Sequence, residues 1–476
     1  MRKKISELLA EGRILILDGA TGTMIQRLGL DEEDFHSGPL SDIPDELRGN
    51  NECLNLTRPD LIRDIHRAYI RAGADIIESN TFSANRISQE EYGCAEFAFR
   101  MAFEGAAIAR EAADEAMSSG DRTVLVAGSI GPTSRSLSLS PDMNDPAFRP
   151  VSFDEMALAY SEQMRGLMLG GADLLLIETC FDALNVKAAL YALSGLLENP
   201  EIRSDAGIRE RLSDDGHFPV IISVSVSDRS GRTLTGQTIE AFYASVRHYP
   251  LAAFGLNCSL GAEEIHPLLK EVAGFAECAV SCYPNAGLPD GMGGYAETPH
   301  EMAAAVRKMA EDGLLNIVGG CCGTTPEYIS AIVEAVRDCP ARKRPVQTAS
   351  RPLVVSGLEA VRIDLRNSNF TNIGERTNVA GSRKFARLIA SGQTGEALQI
   401  AAEQIENGAS VIDINMDDAM LDSTAEMTRF VRSLSNDPAV AKAALMIDSS
   451  HWETILAGLK NAQGKSIVNS ISLKEG

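Results

Sequence analysis

Across the first 340 residues, eight short apolar runs alternate with helical stretches, and each run ends in a polar or glycine-rich turn. The runs are ILILDG (14–19), ADIIESN (74–80), VLVAGSIG (124–131), ADLLLIET (172–179), PVIISVSVS (219–227), AAFGLNC (252–258), CAVSCYPN (278–285) and NIVGGCC (316–322). Near-continuous apolar character is what a strand covered on both faces requires. Eight such strands, separated by helices such as those expected over Pro59–Ala72 and His300–Asp312, predict a closed (β/α)8 TIM barrel. An open doubly wound sheet is the competing α/β fold. It would carry G-x-G-x-x-G after its first strand, and Asp18-Gly-Ala-Thr-Gly-Thr23 does not supply it.

The pattern lapses after residue 340. Residues 341–357 carry prolines and basic side chains without periodicity and read as a linker. It restarts with FTNIGERTN (370–378), ASVIDINM (409–416), ALMIDSS (444–450) and SIVNSIS (466–472), separated by three helical stretches. The fold class expected is therefore α/β: a TIM barrel over 1–340, then a partial second (β/α) barrel over 358–476. Four strands cannot close a barrel's hydrogen-bond ladder, so the second segment is expected to be the N-terminal half of a truncated barrel. A Gly-Ala-Asp/Ser phrase precedes a strand at Gly73, Gly171 and Gly408, as a helix end feeding a barrel strand would.

Charge narrows the partners. Lys and Arg total 44 against 66 Asp and Glu, a formal net charge of −22, which repels phosphate backbones and anionic lipid. Neither nucleic acid nor a membrane surface is an expected partner. No apolar run is long enough for a membrane span, and Glu7 and Glu11 interrupt any signal-like stretch at the N-terminus. Nine cysteines, an odd number without a secretory signal, point to reduced thiols and a cytoplasmic protein.

In a barrel of this kind, chemistry gathers where strands end at the C-terminal face. The first strand ends at Asp18, the second at Glu78 and Asn80, the fourth at Glu178, the sixth at Asn257 and Cys258, the eighth at Cys321 and Cys322. A lone strand cysteine is usually a small core hydrophobe, and Cys53, Cys94, Cys180, Cys278, Cys282 and Cys339 read that way. Cys258 with the Gly-flanked pair Cys321–Cys322 is different: three convergent thiolates suit Zn²⁺ and leave its fourth tetrahedral position open, as in catalytic sites. Zinc so rich in thiolate activates water poorly, yet it can take a substrate thiol and release its proton. In the second segment Glu375, Asp413, Asp448 and Asn469 lie at strand ends, and such acids and amides complement the amino, N–H and carbonyl groups of a pterin.

The elements LDGATGT, GLNC and GGCCGTTP resemble the homocysteine S-methyltransferase family over about the first 340 residues. That resemblance implies zinc on Cys258, Cys321 and Cys322, the homocysteine ammonium held by Asp18 and Glu178, and backbone near Gly19 beside the substrate carboxylate. Residues from about 355 to 476 resemble the pterin-binding barrel that accompanies such a barrel in the cobalamin-dependent methionine synthase family. This second likeness implies pterin contacts from Asp448 and Asn469, with Glu375 and Asp413 close by, and 5-methyltetrahydrofolate as methyl donor. It also implies cobalamin as the methyl relay. Asp64-Ile-His66-Arg-Ala-Tyr69 approaches the Asp-x-His-x-x-Gly lower-ligand signature but lacks the glycine, so cobalamin is expected on another domain or protein. Two other readings stay open: a corrinoid-independent homocysteine methyltransferase using a small methyl donor, and a non-catalytic zinc scaffold that docks a corrinoid protein.

Overall fold

The computed structural model describes residues 2–120, 122–288, 294–345, 352–364, 366–367 and 370–471. Strands lie at all eight predicted runs: β1 (Leu15–Ile16), β2 (Ile76–Glu78), β3 (Leu125–Ile130), β4 (Leu174–Cys180), β5 (Val220–Val224), β6 (Ala253–Gly261), β7 (Ala279–Asn285) and β8 (Ile317–Val318). They pair in parallel in the order β1-β8-β7-β6-β5-β4-β3-β2. A parallel bridge between Leu17 and Ile76 joins the two ends and closes the barrel.

Period-two alternation sorts the side chains. Leu15, Leu17, Leu125, Leu174, Leu176 and Ile221 fill the barrel, while Ile16, Val126, Leu175, Ile222 and Phe254 pack against the helices. The short helix Ile5–Ala10 adds Ile5 and Leu8 to the interior cluster and plugs the end opposite the strand termini.

The recurring Gly-Ala-Asp/Ser phrase acquires a physical reason. Gly73 and Gly171 end helices Pro59–Ala72 and Phe153–Gly170 with φ of +114° and +110°, and Gly408 follows helix Thr394–Glu406 with φ of +95°. Only glycine takes that left-handed turn without a Cβ penalty. Two residues on, Asp75 accepts from the Ile16 amide (2.9 Å) and pairs with Arg13 (2.7 Å). Asp173 does the same with the Val126 amide (2.8 Å) and Arg110 (2.7 Å). Each aspartate ties an incoming strand to its neighbour at the plugged end, leaving the other end for the site.

The linker expected at 341–357 overlaps a strand, and its residues 346–351 lie outside the described residues. β9 (Leu353–Ser356) pairs antiparallel with β10 (Ala360–Ile363), because Val355 packs on Val411 and Ala444 of the second unit. β11 (Ile373–Asn378), β12 (Val411–Asn415), β13 (Ala444–Asp448) and β14 (Ile467–Asn469) then form a four-stranded parallel sheet in that order. The first of the three expected helical stretches is split in two, Arg383–Ala390 and Thr394–Glu406, at Gly392 with φ of +69°. Helices Ser423–Ser435 and Trp452–Leu459 complete the unit.

The two units touch through buried and half-buried polar contacts. Lys187 donates to the carbonyls of Ala462 (2.7 Å) and Gly464 (3.1 Å), and Gln237 donates to that of Gly357 (3.0 Å). His66 is fully buried in helix Pro59–Ala72, so Asp64-Ile-His66 is a piece of barrel helix. Among the described residues no helix is long and apolar enough to cross a membrane.

Candidate active site

The three thiols meet because two strand ends are bent. β6 slips register against β7 between Asn257 and Gly261, and inside the slip Cys258 and Ser259 both take φ of +61°. Non-glycine residues there cost of order 1–3 kcal/mol each, a strain that collects at functional sites. Beyond β8 the chain passes close to its neighbours: a Cβ on Gly319 would lie 2.8 Å from the Asp18 carbonyl, and one on Gly320 would lie 2.6 Å from Thr324. The outcome is Cys258 Sγ 3.8 Å from Cys322 Sγ, Cys321 Sγ 4.0 Å from Cys322 Sγ, and all three within 4.8 Å of one another.

Thiolates about 2.3 Å from one tetrahedral ion lie about 3.8 Å apart, so this spacing fits a single thiophilic cation. Without a cation the trio cannot ionise together. Cys322 accepts from Cys258, Cys321 and Tyr295 and is drawn down to about 3, while Cys258, Cys322 and burial push Cys321 far up. Asn257 steadies the group. Its Nδ2 reaches Cys321 Sγ (3.8 Å) and Thr179 Oγ1 (2.9 Å), and its Oδ1 accepts from the Thr179 amide (3.0 Å) and Ser223 Oγ (2.7 Å). At the end of β7, Asn285 is buried with Oδ1 unpartnered among the described residues.

A second group, of carboxyls, adjoins the same space: Glu78 and Glu178 line it, while Asp18 lies behind the Glu78 backbone, outside the lining. Asp18 is fully buried; Oδ2 accepts from the Glu78 amide (3.0 Å) and Oδ1 has no partner among the described residues. β4 slips register between Ile177 and Cys180, with Thr179 at φ of +54°, and the adjoining Glu178, 4% exposed, accepts from the Ser129 hydroxyl. Burial, reinforced by Glu178, pushes the carboxyls of Asp18 and Glu78 well up, and burial lifts Glu178 from 4.5 to about 7. Gly19 lies where a Cβ would come 2.8 Å from Thr324 Oγ1 and 2.9 Å from the Tyr69 ring, so no larger residue fits.

Between thiols and carboxyls lies a cavity of about 380 Å³, whose lining includes Thr21, Asn80, Glu178, Cys258, Tyr295, Cys321 and Cys322. Among the described residues no Lys or Arg lines it. The site is therefore short of positive charge twice, beside the sulfurs and beside the carboxyls.

A stability effect follows. Glu178 binds a proton more tightly in the fold than in the unfolded chain, so its protonated form contributes stability that is complete below about pH 4.5 and lost as pH rises through about 7. Glu178→Gln is expected to stabilise the metal-free, substrate-free protein at pH 8 by on the order of 2–3 kcal/mol, and not at pH 4. Thermal unfolding at the two pH values tests this; equal shifts at both would refute it.

In the second unit, pairing register lines up one residue from each strand: Asn378 beside Asn415, Asn415 beside Asp448, and Asp448 beside Asn469. Asn415 Nδ2 donates to Asp448 Oδ2 (3.0 Å), and Asn378 Nδ2 donates to Asp413 Oδ2 (3.1 Å) and reaches Asp448 Oδ2 (3.4 Å). Asp413 is buried with Oδ1 unpartnered among the described residues, and burial lifts it to about 6. Burial also raises Asp448, while Glu375 and Asn469 are exposed. Sequence reasoning did not single out Asn378 and Asn415. Their signal was their place as the last residue of a strand.

Fold and site together define a (β/α)8-barrel protein with a three-thiol centre and a carboxyl cluster at its C-terminal mouth, joined to a parallel sheet that ends in acids and amides. The chain belongs to the homocysteine S-methyltransferase family, whose model matches residues 15–336. The pterin binding enzyme model matches residues 374–476. Among solved structures, the oxidized form of the homocysteine methyltransferase MmuM from Escherichia coli is 22% identical with a TM-score of 0.52, the match covering 70% of this chain and 99% of that one. Its metallated form is 24% identical with a TM-score of 0.47, over 69% and 98%. The first of these likenesses establishes a shared fold.

Proposed function

We propose that this chain serves a methionine synthase-type reaction: homocysteine, held as a thiolate in the barrel of residues 1–340, accepts a methyl group that originates on 5-methyltetrahydrofolate held by residues 358–476. The observation that carries this reading is the pairing of three sulfurs spaced for one ion with buried carboxyls that have no Lys or Arg partner among the described residues. Cys258, Cys321 and Cys322 would hold the zinc, which supplies a Lewis acid that keeps a fourth, substrate sulfur ionised at neutral pH. Asp18 and Glu178 take the homocysteine ammonium, so the amino acid enters with its amine among the carboxyls and its thiol at the sulfur cluster. The backbone at Gly19 lies beside its carboxylate. Asn257 fixes the Cys321 sulfur through its 3.8 Å contact and so fixes where the substrate thiol must arrive. The thiol proton leaves to solvent through the open mouth.

In the second unit the acids Asp413 and Asp448 accept from the pterin amino group and ring N–H, with Asn469 and Glu375 at the rim. Methyl transfer between two separate sites needs a carrier, and the reading assigns that part to cobalamin on another domain or protein. The rival with a small methyl donor keeps the barrel chemistry and leaves the pterin-like row without a role.

Sulfur coordination is the direct test. X-ray absorption on the zinc-loaded chain is expected to count three sulfur ligands alone and four with homocysteine; an unchanged count would sink the reading. Methionine formation with free methylcobalamin, against S-methylmethionine, separates the two donors. Asp448→Asn is expected to weaken 5-methyltetrahydrofolate binding about 10–100-fold, the loss of one charged hydrogen bond, while leaving homocysteine binding unchanged. Fluorescence titration measures the first and the sulfur count the second.

A further inference from the structure

The thiol cavity is lined largely by polar groups, and of the two aromatic rings in its lining, Phe82 and Tyr295, Phe82 alone carries no polar atom. Phe82, on the loop after β2, is 37% exposed and lines the cavity with Cys258, Cys321 and Cys322. An apolar ring left open to water on a mobile loop would fold inward, because burial of apolar surface is favourable. This loop cannot, since buried side chains and backbone hold it in place. Asn55 donates to the Asn80 carbonyl (2.7 Å), Gln163 donates to the Thr81 carbonyl (2.7 Å), and the Thr81 hydroxyl donates to the Ser129 carbonyl (2.8 Å). The Ser83 amide donates to Glu52 Oε1 (2.7 Å), and the Gly131 amide to the Phe82 carbonyl (2.8 Å). Asn55, Gln163 and Glu52 are each at least 95% buried. The ring lies against Gly131, where an added Cβ would meet it at 2.6 Å.

We propose that Phe82 is the donor-side positioning residue of this cavity, its exposed ring receiving the apolar face of the methyl donor. The inference rests on the homocysteine reading above and adds to it. Homocysteine's charged and sulfur ends are already matched by the carboxyls and thiols, and Phe82 has no polar atom to offer them. A cavity of about 380 Å³ is in the range of drug-sized ligands, leaving space beyond one amino acid. A rigid aromatic platform gives a methyl carrier contact area at little entropic cost, and a misplaced carrier lowers the frequency of in-line transfer.

The experiment uses the zinc-loaded full chain, homocysteine and free methylcobalamin. Phe82→Ala is expected to raise KM for methylcobalamin about tenfold or more, with zinc content unchanged and the homocysteine Kd within about twofold. Phe82→Leu, which keeps apolar surface, is expected to recover most of that loss. Should the alanine variant fail to fold, Phe82→Gln keeps the length, removes the apolar face and is expected to give the same donor-specific defect. A donor KM unchanged in these variants, or a homocysteine Kd that rises in parallel, overturns the assignment while the homocysteine reading stands. Wild-type protein that neither turns over methylcobalamin nor binds it in equilibrium dialysis overturns the assignment as well. The zinc–sulfur count then decides separately whether homocysteine still binds.

Discussion

Cys321→Ser is expected to lower the zinc content of the purified chain from near one per molecule to a small fraction, and to cut homocysteine methylation by about a thousandfold or more. Serine keeps the size and removes the soft ligand, and two thiols with a hydroxyl make a much poorer zinc site than three thiolates. The fold should survive. Cys321 follows β8 and is only partly buried, whereas the strands are held by Leu15, Leu174, Ile221 and their neighbours inside the barrel. Metal analysis, unfolding curves and activity on one preparation give the result. A variant that folds, keeps zinc and stays active would remove the metal-thiolate account. A variant that fails only in folding would favour a scaffold role instead.

The carboxyls give the second large effect. Asp18→Asn and Glu178→Gln are each expected to weaken homocysteine binding about 10²–10³-fold, because a buried charge pair that loses one partner costs about 3–5 kcal/mol. The pH dependence separates this from general damage. In the empty site Glu178 ionises near 7, so below that pH its proton must leave before the substrate ammonium can pair with it. Each pH unit below 7 then costs about tenfold in affinity, and above 7 this contribution is flat. Release of the substrate's thiol proton adds its own slope. In Glu178→Gln the slope of log affinity against pH between about 5 and 7 should therefore be smaller by one proton than in wild type. Calorimetric titration across that range measures it. Equal slopes would mean that Glu178 does not carry the ammonium.

These two effects differ in how far they could be read from residues alone. The apolar runs located all eight strands, since a strand buried on both faces has little choice of composition. Strand ends then put Cys258, Cys321, Cys322, Asp18 and Glu178 on the same rim. The linker was less legible. Pro345 and Pro352 signal a break, but Val354 and Val355 make a strand by packing on partners far along the chain. Asn257 looked like an ordinary rim amide, and its bonds to Thr179, Ser223 and Cys321 follow from register slips in β6 and β4 that leave no mark in the sequence. Phe82 gave no signal either, because exposure of a ring is decided by the buried groups that hold its loop.

The sequence by itself determined the barrel, the second parallel sheet and the kinds of atom at each strand end, because periodicity and residue chemistry are local properties. Only the tertiary structure decided that three sulfurs converge to within 4.8 Å, that the carboxyls beside them have no counter-charge among the described residues, and that Asn378, Asn415, Asp448 and Asn469 form one row. Those are distances between residues far apart in the chain. They are set by strand register, left-handed kinks at Cys258 and Thr179, and glycines that allow backbones to approach, and each of these depends on the whole barrel being closed.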